Sequence, residues 1–275
     1  MNNNVIVTRN EQNKEVIVMG KGLAFGLKAG DAIDMSRIDK TFALNDSKET
    51  SRFQELVTQM PEGFFEISEK LIDRAKMRLG KRLNNTIYIT LTDHLINMVE
   101  RAETGIYLKN TMLWDIRRIH QEEFMVAQEL VKLFNQEQGT QFDDHEAANL
   151  TMHLVNAQSD LGFTATRDIT KVMSEILNLI RYHFRITFDE DSLSYYRLIV
   201  HLRNFAQRLF SGTTYGDSED TELLEHIKKK YSQSYRCAQL VRQYLQESYQ
   251  YKLEEEELMY LTIHIEKVVK DSNRG

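Results

Sequence analysis

The sequence predicts a multidomain protein: a small antiparallel β domain followed by two all-α helical bundles. Three observations carry that expectation. Short β-prone runs separated by turn residues fill the first 45 positions. Beyond Pro61, the single proline among 275 residues, breakers thin out and apolar residues fall at helical spacing. Two histidine-centred stretches recur about 110 residues apart, which is domain-sized and too long for a solenoid unit.

The β segment reads as four short runs. Val5-Ile6-Val7-Thr8 precedes turn chemistry at Glu11-Gln12-Asn13-Lys14, and Glu15-Val16-Ile17-Val18-Met19 ends at Gly20-Lys21-Gly22. Leu23-Ala24-Phe25 is the third run, followed by a turn at Lys28-Ala29-Gly30-Asp31. Lys40-Thr41-Phe42-Ala43-Leu44 is the fourth. A sheet so small buries little surface alone, so it is expected to dimerise or lean on a partner. The expected division is a β domain at 1–50, a polar linker at 51–62, a first bundle at 63–163 and a second at 164–275.

In the first bundle the pattern predicts helices over 66–82, 86–104, 113–136 with an early break, and 144–158. Ile67, Leu71, Ile72 and Ala75 mark the buried stripe of the first helix. Residues 160–166 read as a short joint. The second bundle repeats the order with helices at 165–186, 191–210, 221–248 broken near 231, and 254–270. Loops at Gly105, Gly139 and Gly212-Thr213-Thr214-Tyr215-Gly216 separate elements.

Composition narrows the function classes. The lone Cys237 excludes a disulfide framework and fits a reducing cytoplasm. No apolar run reaches membrane-span length, so no direct membrane insertion is expected. A net charge of −6 argues against indiscriminate nucleic-acid binding and leaves room for a shaped local site.

The repeated histidines are the chemical signal. Around His94 and His201 the chain shares Leu three before (Leu91, Leu198), Leu one after, Asn three after and Arg seven after (Arg101, Arg208). Around His153 and His264 it shares Glu seven before (Glu146, Glu257), Leu three before and Thr two before. The residue four after each His is apolar: Met98, Ala157, Phe205 and Val268. Positions three before and four after share a helical face with the His, so all four rings belong at the rim of an apolar stripe. His120, His145, His183 and His226 lack this combination; His145, in Asp143-Asp144-His145, reads as a helix start.

Half-buried core histidines would explain any one of these positions. Recurrence at matched places in two repeats favours a shared chemical role. A metal site wants His at i, i+4 or a Cys/His cluster, and neither occurs. Neither a Gly-x-Ser-x-Gly elbow nor a P-loop is present, and nothing calls for a cofactor. Phosphoryl acceptance suits a rim histidine, because neutral imidazole is a good nucleophile near neutral pH. The modified ring gains close to two negative charges and three acceptor oxygens. Arg101 and Arg208, two turns along the same face, could answer that charge, although two turns is far for direct contact.

Asn2-Asn3-Asn4-Val5-Ile6 and Glu15 to Phe25 closely resemble the BglG/LicT family of transcriptional antiterminators. So do Thr92-Asp93-His94-Leu95 and His201 to Leu209, and the match covers nearly the whole chain. The resemblance implies an N-terminal co-antiterminator RNA-binding domain and two phosphotransferase-regulation domains of about five helices each. It implies an RNA hairpin overlapping an intrinsic terminator as ligand, a homodimer as the active form, and no enzymatic activity. It further implies regulation of the first bundle by a sugar-specific enzyme II, switching activity off, and of the second by HPr, switching it on. The carried-over phosphoryl acceptors are His94 and His153, then His201 and His264. The carried-over RNA-site residues are Asn4, Gly20, Lys21 and Phe25. Asn offers a donor and an acceptor, Gly lets backbone approach, Lys meets phosphate and Phe stacks on an unpaired base. Lys21 stands where many relatives carry Arg, which gives up the bidentate fork. Residues 1–50 hold seven basic and seven acidic residues, so RNA binding rests on local geometry across a dimer. The sugar nearest in kind is a β-glucoside. Two other readings are a DNA-binding activator of a sugar operon built on the same regulation domains, and a helical interaction protein whose histidines are core.

Overall fold

The computed structural model describes residues 5–10, 12–13, 15–20, 22–38, 40–43, 60, 63–159, 162–212 and 221–273. The N-terminal residues form a three-stranded antiparallel sheet, β1 (Val5–Arg9), β2 (Glu15–Met19) and β3 (Lys40–Ala43), in sequence order. Val5 pairs with Met19 and Arg9 with Glu15 across the first hairpin, and Val16 pairs with Ala43 across the second pairing. The alternation of β2 places Val16 and Val18 on one face, where they bury against Leu23 with Ile6, Ile33 and Ile38 around them.

The expected third run, Leu23-Ala24-Phe25, is not a strand. Successive i to i+3 bonds, Leu23 N–H to Gly20 O, Phe25 N–H to Gly22 O and Leu27 N–H to Ala24 O, coil it into turns. Gly22, at φ 62°, permits that path, which costs other residues strain. Residues 23–25 were too few to show strand periodicity, and the flanking glycines decide the matter.

Ten α-helices follow among the described residues. The first five are α1 (Phe64–Leu79), α2 (Ile87–Glu103), α3 (Leu113–Ile119), α4 (Gln121–Gln138) and α5 (Asp144–Asn156). The second five are α6 (Phe163–Phe184), α7 (Leu193–Ser211), α8 (Thr221–Lys230), α9 (Ser232–Tyr249) and α10 (Glu255–Ser272). The expected breaks fall at His120 and Tyr231. Capping explains the ends. Asp143 accepts from His145 N–H at the start of α5, and Ser192 accepts from Tyr195 N–H at the start of α7. Gly80 and Gly212 close α1 and α7 in the left-handed conformation. The buried stripe of α1 runs Phe64, Ser68, Leu71, Ile72, Ala75 and Leu79, and Ile67 is half-buried at its edge.

The chain divides into two compact units, residues 1–113 with 122–160, and residues 114–121 with 161–275. The early break in the third helical stretch is therefore more than a kink. Ile119 lies in the apolar core of the second unit with Ile169, Met173, Leu198 and Leu202. His120, 1% exposed, bonds through Nε2 to the Thr170 hydroxyl at 3.0 Å. In the first unit α1 packs on α2, and α2 on α5. In the second, α10 packs on α7, α8 and α9, while α6 packs on α7 and α9.

Candidate phosphoryl-acceptor sites

The helix pairs α2/α5 and α7/α10 each bring two repeated histidines face to face. The apolar stripe sets this up. Leu91, Leu150, Leu198 and Leu261, three before each His, are buried, as are Met98, Ala157, Phe205 and Val268, four after. All four rings are half-buried at the rim of these stripes. The repeated threonines have a purely internal job: Thr151 and Thr262 donate to the Ala147 and Leu258 carbonyls at 2.7 Å.

In the first pair the His94 and His153 ring centroids lie 5.0 Å apart at 47°. His94 Nε2 lies 3.0 Å from Glu146 Oε2, Asn149 donates to the same oxygen at 3.0 Å, and Arg101 Nη2 stands 3.7 Å from Oε1. Burial works to raise the Glu146 carboxyl. The hydrogen bonds from His94 and Asn149, with the charges of His94 and Arg101, outweigh it and hold the carboxyl below its usual value. Burial, with the nearby charge of His94, pushes His153 down to about 3.

In the second pair the His201 and His264 centroids lie 4.7 Å apart and the rings stack at 28°. Here Glu257 serves the arginine. Arg208 donates Nε–H and Nη2–H to Glu257 Oε1 at 3.2 and 2.8 Å, and the Tyr251 hydroxyl donates to Oε2 at 3.0 Å. Among the described residues neither ring nitrogen of His201 makes a hydrogen bond. Burial pushes His201 down to about 3, helped by the charges of His264 and Arg208. Burial also lowers His264, with Lys267 and Arg197 adding to it. A cleft of about 230 Å³ opens on His201, lined by Asn204, Arg208, Glu256, Glu257 and Tyr260. Both His153 and His201 are thus neutral at pH 7, the state in which a ring nitrogen carries a lone pair.

The other histidines stand apart. His120 is buried, His183 and His226 are exposed, and His145 Nδ1 accepts from Asn110 N–H at 3.1 Å. Cys237 is a buried thiol pushed up to about 12 by burial, far from a reactive thiolate. The two acidic residues are what sequence reasoning passed over. The signal was present, since Glu146 and Glu257 recur seven before a His, but His94, Arg101 and Arg208, which meet them, come from other helices. Arg101 and Arg208 meet these carboxylates, across rather than along their own helices.

At the β domain, Gly20 is buried at the end of β2, and Phe25 is 73% exposed on the following turns. Core packing, the plain alternative for Phe25, is thereby removed. A Cβ built on Gly22 would meet the Arg37 guanidinium at 2.9 Å, which puts a cation beside the turn carrying Phe25. Arg37 carried no motif in the sequence. Asn4 and Lys21 lie outside the described residues.

Among the described residues no helix is long and apolar enough to cross a membrane. The PRD domain family matches at residues 69–157 and 174–268, and the CAT RNA binding domain at 1–51. The transcription antiterminator LicT of Bacillus subtilis is 43% identical over 99% of this chain and 98% of its own length. The β-glucoside operon antiterminator of Dickeya chrysanthemi is 38% identical over 98% of this chain and 94% of its own. The crystal structure of GlcT CAT-PRDI aligns with TM-score 0.51 and 30% identity, covering 58% of this chain and 95% of that one. An RNA-binding sheet, two regulation domains and relatives matched end to end show that the chain belongs to the BglG/LicT family of transcriptional antiterminators.

Proposed function

We propose that this protein binds an imperfect hairpin in the leader of a sugar-utilisation transcript and so prevents intrinsic termination, under control of histidine phosphorylation. The observation that carries the control is the facing of His94 with His153 and of His201 with His264, each pair on two helices of one bundle. Phosphoryl groups come from the sugar phosphotransferase system in the cytoplasm. HPr serves His201 and His264, and a sugar-specific enzyme II serves His94 and His153. The added charge sets whether the β domains pair as a homodimer. The relatives' printed names point to a β-glucoside operon.

The exposed Phe25 ring and the Arg37 guanidinium offer a stacking face and a phosphate partner. Asn4, Gly20 and Lys21 complete the RNA site. A DNA-binding activator would need a helix-turn-helix at the N-terminus, where the described residues form a sheet. The test is a mobility shift of the full chain with an imperfect leader hairpin. Binding is expected, with Phe25→Ala weakening it about tenfold through the lost stack. No shift by the unaltered chain at micromolar concentration would refute the proposal.

A further inference from the structure

Glu146 and Glu257 occupy the same place in the repeat and hold different partners. Glu257 is occupied by Arg208 and Tyr251. Glu146 instead holds Nε2 of His94 at 3.0 Å, and Arg101 stays 3.7 Å away. Two sequence differences allow this. Thirteen residues before the second His of each pair, the second bundle has Tyr251 and the first has Thr140, whose hydroxyl bonds Asn135 instead. Four before that His stand Asn149 and Tyr260, and the Asn149 amide helps fix the Glu146 oxygen that His94 uses.

A carboxylate can only accept, so the His94 Nε2 must carry the hydrogen. The neutral ring is then the Nε2–H tautomer, and its lone pair lies on Nδ1. The geometry points to Glu146 as a positioning residue that makes Nδ1, rather than Nε2, the phosphoryl-accepting nitrogen of His94. The inference rests on the reading of His94 as an acceptor and adds which atom reacts and why.

The step balances. The Nδ1 lone pair forms the new N–P bond. The bond from phosphorus to the donor protein's phosphorylated cysteine or histidine breaks, and the donor atom leaves with that electron pair. The Nε2 hydrogen stays in place, so the ring becomes a phosphorylated imidazolium with its positive edge on the Glu146 carboxylate. An orienting carboxylate does the same for a catalytic imidazole in hydrolases. Attack through Nε2 would instead seat the dianionic phosphoryl group against Glu146, placing like charges in contact. His201 has no such carboxylate on either nitrogen, so it reports phosphoryl delivery independently.

The full chain and its Glu146→Ala and Glu146→Gln variants would be phosphorylated with phosphoenolpyruvate, enzyme I, HPr and a β-glucoside enzyme II. Antibodies specific for the two phosphohistidine isomers would then read the proteolytic peptide carrying His94. The unaltered chain should give the Nδ1 isomer about tenfold over the Nε2 isomer, the discrimination of one charge-assisted hydrogen bond. Glu146→Ala should bring the two isomers within about threefold, since the ring is then free to change tautomer. Glu146→Gln, which guards against a folding failure, keeps an oxygen on the N–H and should retain the preference. Predominance of the Nε2 isomer in the unaltered chain, or a preference indifferent to Glu146→Ala, would overturn the inference. Loss of preference in Glu146→Gln would also count against it. Label on His201 with none on His94 would refute the acceptor reading of His94 itself, a different failure.

Discussion

The two histidine pairs use the same frame and differ in which ring burial holds neutral. In the first bundle the deeply lowered ring is His153, on the second helix of the pair, while His94 leans on Glu146. In the second bundle the deeply lowered ring is His201, on the first helix, and the acidic residue is given over to Arg208 and Tyr251. The helical skeleton fixes where the rings sit. Side chains off the repeated positions, Asn149 in the first pair and Tyr251 in the second, bond the two acidic residues differently. The two bundles share the facing of the rings and differ in the electrostatics around them.

The largest expected effect is on regulation. His201→Ala should reduce HPr-dependent read-through of a leader terminator about tenfold or more, because the charge of a phosphoryl group in the open cleft is lost. His94→Ala should leave that HPr response standing. Equal responses of the two variants in a reporter assay would erase the functional distinction between the bundles.

Next in size is the cost of removing each acidic residue. Glu257 is 3% exposed and neutralises the mostly buried Arg208, so Glu257→Ala should cost about 3 kcal/mol in denaturant unfolding of the second unit. Glu146→Ala leaves a His94 ring that can stay neutral and an Arg101 that is more exposed than Arg208 and already 3.7 Å from the carboxylate, and should cost about 1 kcal/mol. The reverse order would mean that the arginine pairing is not what distinguishes the second site.

Acid should expose the two lowered rings. His153 and His201 stay neutral in the folded chain down to about 3, while in the unfolded chain they gain a proton near their usual value of 6.5. The unfolded state then binds more protons, so their contribution is intact above about pH 7 and is lost as pH falls toward 3, about 2 kcal/mol per ring by pH 5. His153→Gln and His201→Gln should each flatten the stability profile between pH 7 and 5. A profile as steep as the unaltered chain's would show that the rings are not desolvated. As small a change as that of Glu146→Ala is expected for Tyr251→Phe, which removes one bond to Glu257 and should cost about 1 kcal/mol in the same unfolding measurement.

The sequence made the helices and the rim positions readable because both are periodic. Leu91, Leu198 and their equivalents declare a buried face, and a His beside them must fall at its edge. The turn at 23–25 was not readable as a turn, since Gly22 acts through backbone conformation and three residues carry no period. Nor did the pattern reveal that Ile119 and His120 belong to the second unit, because their partners, Met173 and Thr170, lie about 50 residues on. Glu146 and Glu257 were visible as a repeat, yet their different partners depend on Thr140, Tyr251, Asn149 and Tyr260, which do not repeat.

The most direct test is single-round transcription through a leader hairpin and terminator, with the full chain added before and after phosphorylation by phosphoenolpyruvate, enzyme I and HPr. Read-through should rise with phosphorylation in the unaltered chain and in a chain carrying His94→Ala and His153→Ala. It should fail to rise when His201→Ala and His264→Ala are combined. Phosphorylation without change in read-through, or an unchanged response in the latter chain, would contradict phosphoryl control through the matched histidines.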